Sequence, residues 1–126
     1  MSITRTAALV LWPAAFFVAS AGWAQAPAVP PGFVASPEIY KVIAENDKYR
    51  IIEVTWKVGQ KDKPHSHPDA GVYNLTACTT RSTRANGEVQ EGTRPAGAAR
   101  INGAVVSHTV ENIGAAECKV LMFEPK

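Results

Sequence analysis

In the stretch YRIIEVTWKVG, residues 49–59, Ile52, Val54, Trp56 and Val58 alternate with Ile51, Glu53, Thr55 and Lys57. A period of two places alternate side chains on opposite sides of an extended chain, so this segment predicts a strand with one buried face. Beyond the first 24 residues, no apolar period of 3.6 runs for three helical turns. Other strand-like runs are Tyr40–Ile43, Gly71–Cys78 with Thr79–Thr83 as a polar continuation, Glu88–Glu91, Ala98–Ile101 and Cys118–Glu124. They recur at roughly 8–12-residue intervals and are separated by turn residues, which predicts an all-β sandwich or barrel. The turns fall at Glu45–Lys48, Gly59, Asn86-Gly87, Gly103 and Gly114, with Asn86-Gly87 the strongest signal. On this pattern Trp56 and Phe123 read as core, and Tyr73 as core or rim.

The 126 residues are enough for one domain with a modest core. A formal charge of +2, with Lys and Arg scattered along the chain, argues against nucleic acid as a partner. The N-terminus has the pattern of a cleaved secretory signal over residues 1–24: Arg5, an apolar run from Ala7 to Ala19, then small residues up to Ala24. That run is shorter than the ~20 apolar residues of a membrane span, so no span is expected after cleavage. The expected location is secreted or periplasmic. Residues 25–38 are rich in Ala and Pro and predict a linker, or an arm lying on the body; residues 39–126 form the domain. Cys78 and Cys118 form an even count in an exported chain, which permits one disulfide. Two buried thiols account for them equally well.

The chemistry concentrates in three histidines. His65 and His67 are one residue apart, and in a strand His-x-His turns both imidazoles to the same side. Two imidazoles on one face are what a strand offers a metal ion. His108 is the remaining histidine, in SHTVEN. No Ser/His/Asp order, CxxC pair or glycine-rich phosphate loop accompanies them.

Their spacing resembles that of the cupin superfamily. Gly59 precedes His65-x-His67 by five intervening residues, as in the opening of the first cupin motif. Gly97, five residues, Gly103-x-Val105, two residues, His108, three residues and Asn112 reproduce the frame of the second, with Gly-Ala-Val where the motif has Pro-x-Gly. The ending HTVENIG…CKVLMFE is similar to that of small single-domain bacterial cupins, including those grouped with β-alanine-degradation proteins. The resemblance implies a jelly-roll β-barrel and a divalent metal, Fe, Zn or another transition metal, held by His65, His67 and His108. The carboxylate ligand of the first motif is missing: its place falls on Ala70 or Gly71, and Asp69 lies one position off, on a Pro-Asp turn. Three neutral imidazoles suit a transition metal rather than Mg or Ca.

The resemblance therefore implies an oxygenase-type enzyme acting on a small organic substrate. The alternative is a non-catalytic module that binds metal or a small organic acid. Arg100, in the strand leading to His108, is a candidate carboxylate anchor against the simpler reading of a solvated face. Glu111 reads as solvent-facing or paired with a base. The resemblance also allows a homodimer, through strand pairing or exchange of the Pro-rich arm.

Overall fold

The computed structural model describes residues 28–126; the expected signal peptide and the start of the arm lie outside them. Among the described residues nine strands form two antiparallel sheets. The first has the order β1 (Tyr40–Glu45), β2 (Tyr49–Trp56), β9 (Cys118–Pro125), β4 (Ala70–Asn74) and β7 (Ala99–Asn102). The second has the order β3 (His65–His67), β8 (Val105–Asn112), β5 (Cys78–Arg84) and β6 (Val89–Arg94). A cavity lined by both sheets lies between them.

The alternation in β2 does what its period requires. Ile52, Val54 and Trp56 are buried, while Ile51, Glu53 and Thr55 are half-buried on the other face. The β1–β2 turn is closed by the Asn46 side chain, whose Oδ1 accepts from the backbone N–H groups of Lys48 and Tyr49 at 2.9 Å each. Gly59 and Gly87 have φ of 72° and 86°, the left-handed conformation expected at turns.

Three expectations are corrected. The strand ends at Trp56, so Val58 lies in the following turn and is 59% exposed. Gly71–Cys78 is not one strand: the chain leaves the first sheet after Asn74 and enters the second at Cys78. Phe123 is not core. In β9 the buried set is Cys118, Val120, Met122 and Glu124, so Phe123 falls on the outer face and stacks on Tyr49 at 5.0 Å between centroids. Tyr73 is exposed at the rim.

Cys78 and Cys118 are joined in a disulfide. Because Cys78 opens β5 and Cys118 opens β9, the bond fastens one sheet to the other. The described part of the arm folds back on its own barrel. Ser66 donates from its backbone N–H to Pro30 O at 2.9 Å and from its hydroxyl to Val29 O at 2.7 Å. A single helical turn, α1 (Gly32–Ala35), follows. A Cβ on Gly32 would stand 3.0 Å from the Tyr40 ring and 3.2 Å from His65, so only glycine lets the arm approach this closely.

Candidate functional site

The cavity has a volume of about 340 Å3, and His65, His67 and His108 all line it. Register brings the distant pair together: β3 and β8 are antiparallel with His65 opposite His108, and on the far side of β8 His108 faces Arg84 of β5. The ring centroids of His65 and His108 are 4.5 Å apart, those of His67 and His108 5.0 Å, and those of His65 and His67 6.2 Å. The register shifts between His65 and His67, yet both rings reach the same space.

Hydrogen bonds orient these rings. Nδ1 of His65 lies 3.0 Å from Lys63 O, and Nδ1 of His67 lies 2.9 Å from Pro68 O. A carbonyl only accepts, so each Nδ1 carries its proton and each neutral ring keeps a bare Nε2. His108 Nε2 stands 3.1 Å from His65 Nε2, and its Nδ1 stands 3.2 Å from Ser82 Oγ. With His65 Nε2 bare, His108 donates from Nε2 and accepts at Nδ1 from the Ser82 hydroxyl. Burial, followed by electrostatic interaction with His65, His67 and Arg84, pushes the His108 pKa down to about 3, so this ring stays neutral.

Beneath them lies a buried carboxylate that the sequence presented only as part of a charged loop. Asp62 Oδ2 accepts from the Tyr40 hydroxyl at 2.7 Å and Trp56 Nε1 at 3.0 Å. Its Oδ1 accepts from Val110 N–H at 2.6 Å and lies 3.6 Å from His65 Nδ1. Burial raises the Asp62 carboxyl above the usual carboxylate range, against the lowering effects of His65 and these donors. Burial and the Asp62 charge likewise raise the Tyr40 phenol, which stays protonated and lies 3.1 Å from His65 Nε2. Tyr40, Asp62 and Ser82 were missed as site residues. Ser82 shares the parity of Cys78, Thr80 and Arg84, and that parity was the one readable signal.

The remaining sequence-derived residues are placed as follows. Ala70 is buried and Gly71 packs near Ile101 and Phe123, so neither position supplies a donor to the site. Asp69 Oδ1 accepts from Ala104 N–H at 2.7 Å, in the connection between β7 and β8. Glu111 pairs with Arg81 at 3.4 Å. Arg100 lines the cavity, where its Nη1 donates to Asn74 Oδ1 at 2.7 Å.

Solved structures share the fold of this chain. A cupin domain from Bordetella pertussis Tohama I superposes with a TM-score of 0.64 at 21% identity, covering 70% of this chain and 92% of that one. The chain has the cupin fold. A cupin superfamily protein from Desulfitobacterium hafniense superposes at 0.53 with 14% identity, covering 69% of this chain and 75% of that one. A cupin 2 conserved barrel domain protein from Leptotrichia buccalis superposes at 0.53 with 20% identity, covering 70% and 40%. No family model and no curated protein sequence matches the chain.

The donor chemistry in this cupin barrel fits a transition metal. Each His65 and His67 Nδ1–H is held by a backbone carbonyl, the outer contact that fixes a ligating imidazole in the Nε2-bare tautomer. The 3.1 Å between the Nε2 atoms of His65 and His108 is near what two nitrogens sharing an ion at about 2.0–2.1 Å require. As they stand, the three rings form a hydrogen-bonded cluster, and among the described residues no group of three His, Cys, Asp or Glu side chains is closed around one point. Ser82 accommodates the change a metal demands: its hydroxyl can donate to His108 Nδ1 or accept from it, and the second role frees His108 Nε2.

Proposed function

We propose that this chain is a small exported cupin in which His65, His67 and His108 hold a divalent transition metal, Fe, Zn or another, facing a small organic ligand in the barrel. The observation that carries this reading is the convergence of His65 and His67 with the distant His108 on one cavity, their Nδ1 atoms already partnered. When bound, such an ion supplies a Lewis acid and, if it is redox-active, an oxygen-dependent oxidation centre. The chain's own residues do the rest. Lys63 O and Pro68 O fix two rings, Ser82 accommodates either tautomer of the third, and Asp62 holds Tyr40 and Trp56 beneath His65. The disulfide between Cys78 and Cys118 supports export, since such bonds persist in oxidising compartments.

Oxygenase-type catalysis is the first reading of the loaded site. A non-catalytic module binding metal or a small organic acid is the second. It is favoured by one specific observation: among the described residues no Asp or Glu lines the cavity to serve as acid or base. Metal analysis of the purified protein tests the site common to both. About one transition-metal ion per chain is expected in the wild type, with loss of most of it in His65→Ala and His108→Ala. Equal metal content in all three would exclude the histidine site. Fe(II)-dependent oxygen uptake with small thiols, diketones and amino acids then separates the readings: substrate-dependent uptake supports the enzyme, and its absence the module.

A further inference from the structure

Three guanidinium groups line the cavity, and they differ in what balances them. Arg84 is paired with Glu88 at 3.7 Å on an exposed part of the wall. The ion pairs that arginines make among the described residues belong to Arg50, Arg81 and Arg84. Arg94 and Arg100 have none there. Both are only partly exposed, and no Asp or Glu shares the cavity wall with them.

Arg100 is also fixed in place. Its partner Asn74 is 1% exposed, and the 2.7 Å bond from Nη1 to the amide oxygen uses one donor while leaving the charge uncompensated. The two groups line the same cavity from opposite sheets: Arg100 is opposite Val72 in the first, Arg94 opposite Cys78 in the second. Burial and the Arg94 charge both lower the Arg100 pKa, as expected for two cations facing one space. Neither guanidinium meets a carboxylate on the cavity wall, so both keep charge and free N–H donors for a ligand.

We propose that Arg94 and Arg100 form an anion subsite that takes the carboxylate of a small organic acid. It rests on the reading above only in taking this cavity as the working site. The guanidinium fork matches a carboxylate, and two of them give the site its charge. The same cavity is lined by Val72, Val120 and Met122, which suit a short carbon skeleton and have no use for inorganic phosphate. A volume of about 340 Å3 matches a small metabolite, at the low end of ligand pockets.

The test is titration calorimetry of pyruvate into the metal-free full chain, for the wild type, Arg94→Gln, Arg100→Gln and Arg81→Gln. Arg81 pairs with Glu91 and Glu111 away from the cavity and serves as the charge control. Wild type and Arg81→Gln should bind alike. Each cavity variant should bind about tenfold more weakly, the scale of one lost charge-assisted hydrogen bond. Pyruvamide, which lacks the charge, should lose at least as much, and phosphate should bind more weakly than pyruvate. Arg94→Gln leaves the Asn74–Arg100 bond untouched and keeps the test decisive if Arg100→Gln fails to fold. Equal pyruvate affinity in wild type and Arg94→Gln, absence of binding in the wild type, or tighter binding of phosphate would each overturn the subsite. Zn(II) titration of the same samples separates the two claims. Zinc binding without pyruvate binding removes the anion subsite alone, and pyruvate binding without zinc binding removes the metal site alone.

Discussion

The two inner walls of the barrel are built for different purposes. The wall of β1, β2, β9 and β4 supplies Ile52, Val54, Trp56, Val72, Val120 and Met122, so it holds nearly all of the buried apolar cluster. The wall of β3, β8, β5 and β6 adds only Cys78 to that cluster, with Val110 packed against it. It presents His65, His67, His108, Ser82, Arg84 and Arg94 to the cavity instead. The first sheet carries most of the apolar packing and the second most of the polar cavity lining, with Tyr40, Asn74 and Arg100 among the polar groups that the first contributes, and a wall of half-buried polar groups adds little hydrophobic stabilisation. The disulfide is the covalent tie between them.

The sharpest way to break this comparison is a matched pair of substitutions. Ile52→Ala on the first wall should cost about 2–5 kcal/mol in urea unfolding, the usual range for a buried aliphatic truncated to Ala. Thr80→Val on the second should stay within about 1 kcal/mol. Equal losses would show that the walls share the load. Next in size is the tie: Cys78→Ser/Cys118→Ser releases a 40-residue separation and should cost about 2–4 kcal/mol. An unchanged unfolding midpoint would mean that the sheets hold each other without it. The smallest effect on folding falls on the chemical wall. Ser82→Ala should move stability by no more than about 0.5 kcal/mol, while weakening Zn(II) affinity about tenfold by removing the His108 partner. Unchanged zinc affinity would remove Ser82 from the account.

The stabilising wall was the legible one. Alternation in β2 names Ile52, Val54 and Trp56 directly, because a period of two is written in residue type. Phe123 and Val58 defeated the same reasoning: an aromatic residue fits either face of a strand, and a strand's end is not marked by its last apolar residue. The run from Gly71 to Thr83 hid a change of sheet at Leu75–Ala77, since both halves are strand-like and only tertiary pairing divides them.

On the chemical wall the histidines were legible by spacing, but the groups that orient them were not. Asp62 sits between lysines in what reads as a solvated loop. Its burial depends on Tyr40 and Trp56, six or more positions away in sequence. Arg94 carried no sign that distinguished it from Arg81 or Arg84, because an ion pair across strands is invisible before the register is known. Pairing of Cys78 with Cys118 was hidden for a related reason: it depends on how the two sheets pack face to face.

The central claim is that these three histidines form a metal site whose last ring changes tautomer against Ser82. Imidazole 15N–1H correlation spectra, recorded without metal and with one equivalent of Zn(II), test it most directly. Without metal, His65 and His67 should show protonated Nδ1 and His108 protonated Nε2. With zinc, all three should be Nδ1-protonated with shifted Nε2 resonances. Three unchanged ring signals on adding zinc would contradict the account.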